Sequence, residues 1–350
     1  MAGPDLGAVA HEMLRKREWV TMAEERTTIA KTENVLIRAG DCAITVLPRF
    51  GGKIASIRVG AHELLQAPLA PIAPRTESMP FDESDASGWD ECLPSVAASR
   101  VQTAAGRAEI PDHGDLWRVE WEVQETEVRG QQSGDRSLDL IGRCFSLPLQ
   151  LERKLELDET ERGWRLRLSY RLSNMSTSPV PWAWAAHPLF AVEKGDRIVL
   201  PESIRSVKLE GSGGNRLTGD SVAWPMANLS AGGTVDMSVV DAPDSGVGDK
   251  LFAGPLSHDE NWCALVRHSI GLRIRVRFDA EATPYLGLWI CYGGWPEKPG
   301  PKQVCVAPEP STAPVDSLGV GSWSRELKPG ESFSWPMTVD IERIERLRDA

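Results

Sequence analysis

The sequence predicts an all-β protein, a large antiparallel β-sandwich with few short helices. Three observations carry this: runs of strict apolar and polar alternation, Pro- and Gly-rich breaks between them, and no long amphipathic helix separating the strands. A βαβ architecture would need such helices, so their absence argues against it.

Residues 1–30 are polar and mixed, with a short helix expected near His11 to Trp19. They read as an N-terminal extension to a single domain spanning 31–350. From Val35 the pattern turns to β: Ile44 and Val46 alternate with polar neighbours, and Phe50-Gly51-Gly52 punctuates before Ile54 to Ile57. Val119, Trp121 and Val123 suggest a further strand. Leu151, Leu155 and Leu157 share one parity, then the turn-rich DETERG leads to Trp164, Leu166, Leu168, Tyr170 and Leu172. That is an antiparallel hairpin with one wet and one dry face. Leu272 to Phe278 repeats the device with arginines on the wet side, and Phe333 to Ile341 repeats it near the C-terminus. YLGLWICY, Tyr285 to Tyr292, is apolar on both parities and should be a strand buried on both faces.

The charge balance narrows the partners. A formal net charge of −11, with no dense basic run, excludes a nucleic-acid backbone as ligand. The chain shows no basic start followed by an apolar core, as a signal peptide would. No run approaches the ~18 apolar residues needed to span a bilayer. A soluble, cytoplasmic protein, monomeric or homodimeric, is the expectation. Six scattered cysteines without a CxxC pair read as buried thiols, not as a disulfide framework or zinc site. Neither a dinucleotide loop, a P-loop, HExxH nor GxSxG occurs, so no metal or cofactor is expected. Tryptophan is over-used, 13 against 3 Tyr and 7 Phe, which suits stacking on sugars as well as filling a core.

Three residues stand out for chemistry. His187 lies in PWAWAAHPLF, where Trp and Pro fix the backbone and form an apolar wall around the side chain that titrates nearest neutrality. A lone histidine in such a run is also common as a core residue. His113 sits in PDHGD, a turn-like frame expected to enter a strand at Leu116-Trp117. Glu309, between Pro308 and Pro310, has a pinned backbone, although a Pro-flanked glutamate is often a solvated loop charge.

Taken in order, FGGKIASIRVGAHELL, GWDECLPSV, PDHGDLW, AAHPLF, YLGLWICYGGWP and VCVAPEP resemble the aldose 1-epimerase (galactose mutarotase-like) family over roughly residues 35–340. The resemblance implies that family's supersandwich fold and cofactor-independent interconversion of sugar anomers. It implies His187 as general acid at the ring oxygen, Glu309 as base at the anomeric hydroxyl, and His113 as a hydrogen-bonding partner of the ring. Asp249 would grip sugar hydroxyls. Of Trp89, Trp117, Trp289 and Trp295, which lie within these segments, one or two would stack on sugar, with Trp289 expected in the core, and Asp90 would bind hydroxyls or, the commoner role, cap a turn. Three departures stand out. The Asn-Arg pair before the first histidine is not evident, Leu189 replaces the tyrosine of HPYF, and Pro308 replaces an aliphatic residue. They bear on which sugar is used more than on the chemistry. Two other classes remain open. One is a noncatalytic carbohydrate-binding protein on the same scaffold; the other is a polysaccharide hydrolase or lyase, for which a second carboxylate is wanting.

Overall fold

Alternating side chains give these strands one apolar face each, and two sheets bury those faces against each other. The computed structural model describes residues 34–124, 136–319 and 323–345. All of these fall in one compact unit, Thr32–Ala350. The extension expected at 1–30 and its helix lie outside the described residues.

The larger sheet has 12 strands. Its main path runs Val35–Ala39, Cys42–Leu47, Lys53–Val59, Trp89–Cys92, Ala185–Pro188, Val304–Ser311, Tyr285–Tyr292, Val247–Ala253, Ser206–Ser212 and Ser221–Ala223. His62–Glu63 and Phe190–Ala191 pair beside this path. The second sheet has eight strands, and at its centre lie Leu272–Phe278, Ser332–Arg343, Gly163–Asn174 and Leu149–Thr160. Every strand pairing in both sheets is antiparallel. Most apolar residues of both sheets merge into one core. Among the described residues, helix is confined to short 3-10 turns at Pro48–Phe50, Phe81–Glu83, Leu116–Arg118 and Gly213–Asn215. The all-β sandwich reading therefore stands.

The predicted hairpin pairs Leu151 with Leu172, Leu155 with Leu168 and Leu157 with Leu166, all fully buried. Its turn is tighter than DETERG, because the strands run on to Thr160 and resume at Gly163. The strand expected across Val119 to Val123 shrinks to Glu122–Gln124. The segment before it, where a strand was expected at Leu116-Trp117, is instead the 3-10 turn. The reason is local: Arg118 folds back to donate to the carbonyls of Asp112 at 2.8 Å and Met79 at 2.9 Å, and to that of Gly114.

Between the sheets lies a buried polar knot. Glu91 Oε1 accepts from Arg153 Nη1 at 3.0 Å and from the Tyr170 hydroxyl at 3.0 Å, and Oε2 accepts from Trp184 Nε1 at 2.9 Å. It ties Trp89–Cys92 of one sheet to the long hairpin of the other. All six cysteines are free thiols, five of them buried and Cys144 partly so.

Candidate active site

Strand parity at the centre of the larger sheet decides which side chains share a face. Along Trp89–Cys92, Glu91 enters the core between the sheets and Asp90 points the other way. Opposite Asp90 in the ladder stands His187. On the other flank of Ala185–Pro188 runs Val304–Ser311, which holds Glu309 inside a strand and not in a loop. The ladder between these neighbours pairs Ala185 with Ser311 and Phe190 with Val306, and leaves residues 307–310 unpaired on that side. Two of those four are prolines, which have no N–H to donate.

At this gap His187 Nε2 stands 3.8 Å from Glu309 Oε1. Both side chains are almost fully buried, His187 at 7% exposure and Glu309 at 1%. Glu309 Oε1 and His187 Nδ1 make no hydrogen bond among the described residues. Burial, aided by His113, Lys250 and Lys53, holds the His187 imidazole well below its ordinary pKa. Burial pushes Glu309 up, against the opposing pull of the Lys250 ammonium.

His113 joins them from the loop after Ile110. Its φ of 59° and the φ of 66° at Gly114 place two consecutive residues in the left-handed region. Gly114 is required there, since a Cβ would meet Leu93 O at 2.2 Å. The turn lays the imidazole flat on Phe81, with ring centroids 3.7 Å apart and planes 7° apart. His113 Nδ1 bonds Asp112 Oδ2 at 2.7 Å, and the ring lies 5.2 Å from that of His187, edge to face.

These three residues line one cavity of about 400 Å³, within the ~300–1,000 Å³ usual for small-molecule sites. Phe81, Trp289 and Trp295 form its apolar walls, and Asp82, Asp112, Lys250, Asp316 and Gln303 supply polar groups. Trp289 was expected in the core. It is half-buried and faces the cavity, its Nε1 donating to Gln303 Oε1 at 2.9 Å.

The other expected substrate-binding residues lie elsewhere. Asp249 is fully buried on the opposite face of its strand, where it accepts from Ser212 Oγ at 2.7 Å and Arg216 Nε at 2.9 Å. Parity gives the cavity to its neighbour Lys250 instead. Asp90 is 2% exposed and committed to Lys53 Nζ at 2.6 Å, with Arg75 Nη1 at 3.5 Å. Trp89 and Trp117 are both fully buried: the first is a core residue, and the second packs beneath Phe81. None of these four lines the cavity. Asp249 is on the face, and Trp89 and Trp117 in the layer, turned away from the ligand space, whereas Asp90 shares the face of His187 and is withheld by its ion pairs.

The sequence reading missed Phe81, Lys250 as a partner of Glu309, Asp316 and Arg118. Only Lys250 left a usable signal, since strand parity alone separates it from Asp249. Phe81 comes from a loop, residues 66–88, that alternation does not describe. That loop is pinned by Arg75, which donates to Asp85 Oδ1 at 2.6 Å and to the carbonyls of Phe50 and Trp117 at 3.1 and 2.5 Å.

No family model and no curated protein matches this sequence. Solved structures do. The Slr1438 protein of Synechocystis sp. PCC 6803 superposes with a TM-score of 0.65 at 18% identity, covering 92% of this chain and 100% of that one. A galactose mutarotase related enzyme from Lactobacillus acidophilus gives a TM-score of 0.61 at 14% identity, with 91% and 100% covered. The chain has the galactose mutarotase-like fold. A galactose mutarotase-like protein from Clostridium acetobutylicum agrees, at a TM-score of 0.60 and 17% identity over 89% of this chain and 95% of that one. No group of three or more His, Cys, Asp or Glu is placed to hold a metal among the described residues. No helix among them is long and apolar enough to cross a membrane.

Proposed function

We propose that this chain is a cofactor-independent aldose 1-epimerase, which interconverts the α and β anomers of an aldose by opening and reclosing its ring. The observation that carries the reading is the facing of His187 Nε2 and Glu309 Oε1 across 3.8 Å at the edge of a sugar-sized cavity. Mutarotation removes one proton from the anomeric hydroxyl and delivers one to the ring oxygen. Both oxygens are bonded to the same carbon, so the acid and the base have to stand side by side.

Glu309 takes the hydroxyl proton through Oε1, and His187 protonates the ring oxygen as its bond to the anomeric carbon breaks. The free aldehyde turns about its bond to the next carbon and recloses from the other face, with both transfers reversed. The opposite shifts of the two groups draw their proton affinities toward each other, and the reaction needs one proton between them. When that proton rests on Glu309, the same steps run with the roles exchanged. His113, its Nδ1 engaged by Asp112, keeps Nε2 for a sugar oxygen. Trp289, Trp295 and Phe81 offer apolar faces to the C–H side of the ring.

Anomer-exchange NMR across a panel of free and modified sugars tests this, comparing the wild type with Glu309→Gln and His187→Asn. Exchange above the spontaneous rate by the wild type alone is the expected result. Equal exchange by all three proteins would end the assignment of the pair, and no exchange on any sugar would end the assignment of the activity.

A further inference from the structure

We propose that Lys250 is a positioning residue for the acid–base pair: its ammonium holds Glu309 Oε2 together with Asp316 and so reserves Oε1 for His187 and the sugar. The inference rests on reading His187 and Glu309 as that pair. It assigns a role to a cation where the sequence resemblance led to the neighbouring Asp249.

Three observations support it. Lys250 Nζ donates to Glu309 Oε2 and lies 3.2 Å from Asp316 Oδ1, with its side chain only 12% exposed. Of the two Glu309 oxygens, one is thereby taken and the other faces His187 unbonded. Lys250 also reaches Glu309 across a whole strand. In the ladder it pairs with Trp289, whereas Glu309 pairs with Gly287, so the lysine side chain leans over the middle strand. Gly287 leaves the room for this. A Cβ there would stand 3.2 Å from Glu309 Cβ and 3.3 Å from Oε2, pressing on the oxygen that Lys250 holds.

The charges around Glu309 make Lys250 its closest fixed cation. His187 faces it from the adjacent strand, His113 and Asp112 from the loop across the cavity, and Asp316 from the segment beyond Ser311. Cys92 and Cys305 lie near, but burial keeps both thiols protonated. Lys53 is occupied with Asp85 and Asp90. The Lys250 cation pulls down the proton affinity of Glu309 and also that of His187. Its removal moves both upward.

The test uses Lys250→Met, Lys250→Arg and Gly287→Ala. Two readouts are taken on the intact protein: the pH profile of anomer exchange, and the NMR titration of the His187 imidazole with no sugar present. Lys250→Met is expected to lower kcat by ~10²-fold, the usual cost of a misplaced catalytic group, with KM little changed. Its activity profile and its His187 titration both move to higher pH. Lys250→Arg, which keeps the cation, restores most of the rate and the wild-type titration. Gly287→Ala, which leaves the lysine in place and presses on Glu309 Oε2, is expected to lower kcat in the same direction. This variant decides the matter should Lys250→Met fail to fold. An unmoved His187 titration in Lys250→Met, or an unchanged rate in Gly287→Ala, would overturn the proposal. Should the wild type exchange no sugar, the activity is refuted on its own, while the titration still reports whether Lys250 sets the charge of the pair.

Discussion

Glu309 and His187 meet where their two strands do not bond to each other. The ladder holds at Ala185 with Ser311 and again at Phe190 with Val306, and between these points the side chains face each other at 3.8 Å. For the proposed proton-transfer pair, a place in the central sheet gives strands on both sides of the two residues, which is the preorganisation such chemistry favours. Glu309→Gln keeps the shape and removes the base, and His187→Asn keeps a polar side chain and removes the titrating group. Each is expected to cost about 10²–10⁴-fold in exchange rate, the range for one acid–base group. The thermal melt of Glu309→Gln should stay close to wild type, which separates lost chemistry from lost fold.

The pH dependence follows from the opposite shifts. At low pH both groups carry protons and no base remains. That limb belongs to Glu309, whose raised pKa moves it above the ordinary carboxylate range. At high pH neither carries one and no acid remains. That limb belongs to His187, whose lowered pKa moves it below the ordinary imidazole value of 6.5. The expected profile of kcat/KM is therefore a narrow bell with its maximum on the acid side of neutrality. A flat profile between about pH 5 and 8 would refute the pair.

The same shift at His187 has a stability consequence of definite sign. The folded state holds the imidazole neutral more firmly than the unfolded chain does, so folding is favoured above the unfolded value of 6.5. That contribution is lost as pH falls toward the folded value. The melting temperature of the wild type should drop more than that of His187→Asn between about pH 7.5 and 5. Parallel curves for the two proteins would show that burial does not perturb His187.

Much of this was legible in the sequence because it is written in period two. Leu151 to Leu172 gave the hairpin, and Tyr285 to Tyr292 gave a central strand, since alternation reports burial directly. His187, Glu309 and His113 stood out through their Pro- and Gly-framed motifs taken together, by the family resemblance that those motifs carry, and not by any one residue alone. What failed was the direction of single side chains. Asp249 and Lys250 differ by one position and so face opposite sides of the sheet, a distinction that is lost when the strand register is unknown. Trp89, Trp117 and Trp289 look alike in composition, yet only Trp289 meets the cavity, because layer membership is set by long-range pairing. Phe81 and Arg118 belong to loops tied together by carbonyl hydrogen bonds, which leave no periodic trace.

The tryptophans permit a direct comparison. Trp289→Ala removes a cavity wall and should raise KM for the sugar severalfold, with a smaller effect on kcat, because stacking acts on ground and transition states alike. Trp89→Ala should leave KM almost unchanged in the folded fraction. Its cost should appear in stability, about 3–5 kcal/mol for a fully buried aromatic, read from denaturant midpoints. The reverse pattern would place the sugar on the wrong side of the sheet.

The knot at Glu91 makes the last prediction, and its sign depends on which partner is removed. Glu91 is fully buried, with its pKa raised by burial and restrained by Arg153, Tyr170 and Trp184. Arg153→Met deletes the cation and leaves a carboxylate in the core, a change expected to cost about 3–5 kcal/mol. Because the stranded carboxyl then takes up a proton more readily, that loss should shrink as pH falls, opposite to the wild-type trend at His187. Glu91→Gln combined with Arg153→Met removes both charges while keeping an acceptor for the Tyr170 hydroxyl. The double variant should therefore be more stable than Arg153→Met alone. A double-mutant cycle by urea denaturation measures this coupling. Simple additivity would mean that Glu91 and Arg153, 3.0 Å apart, act independently.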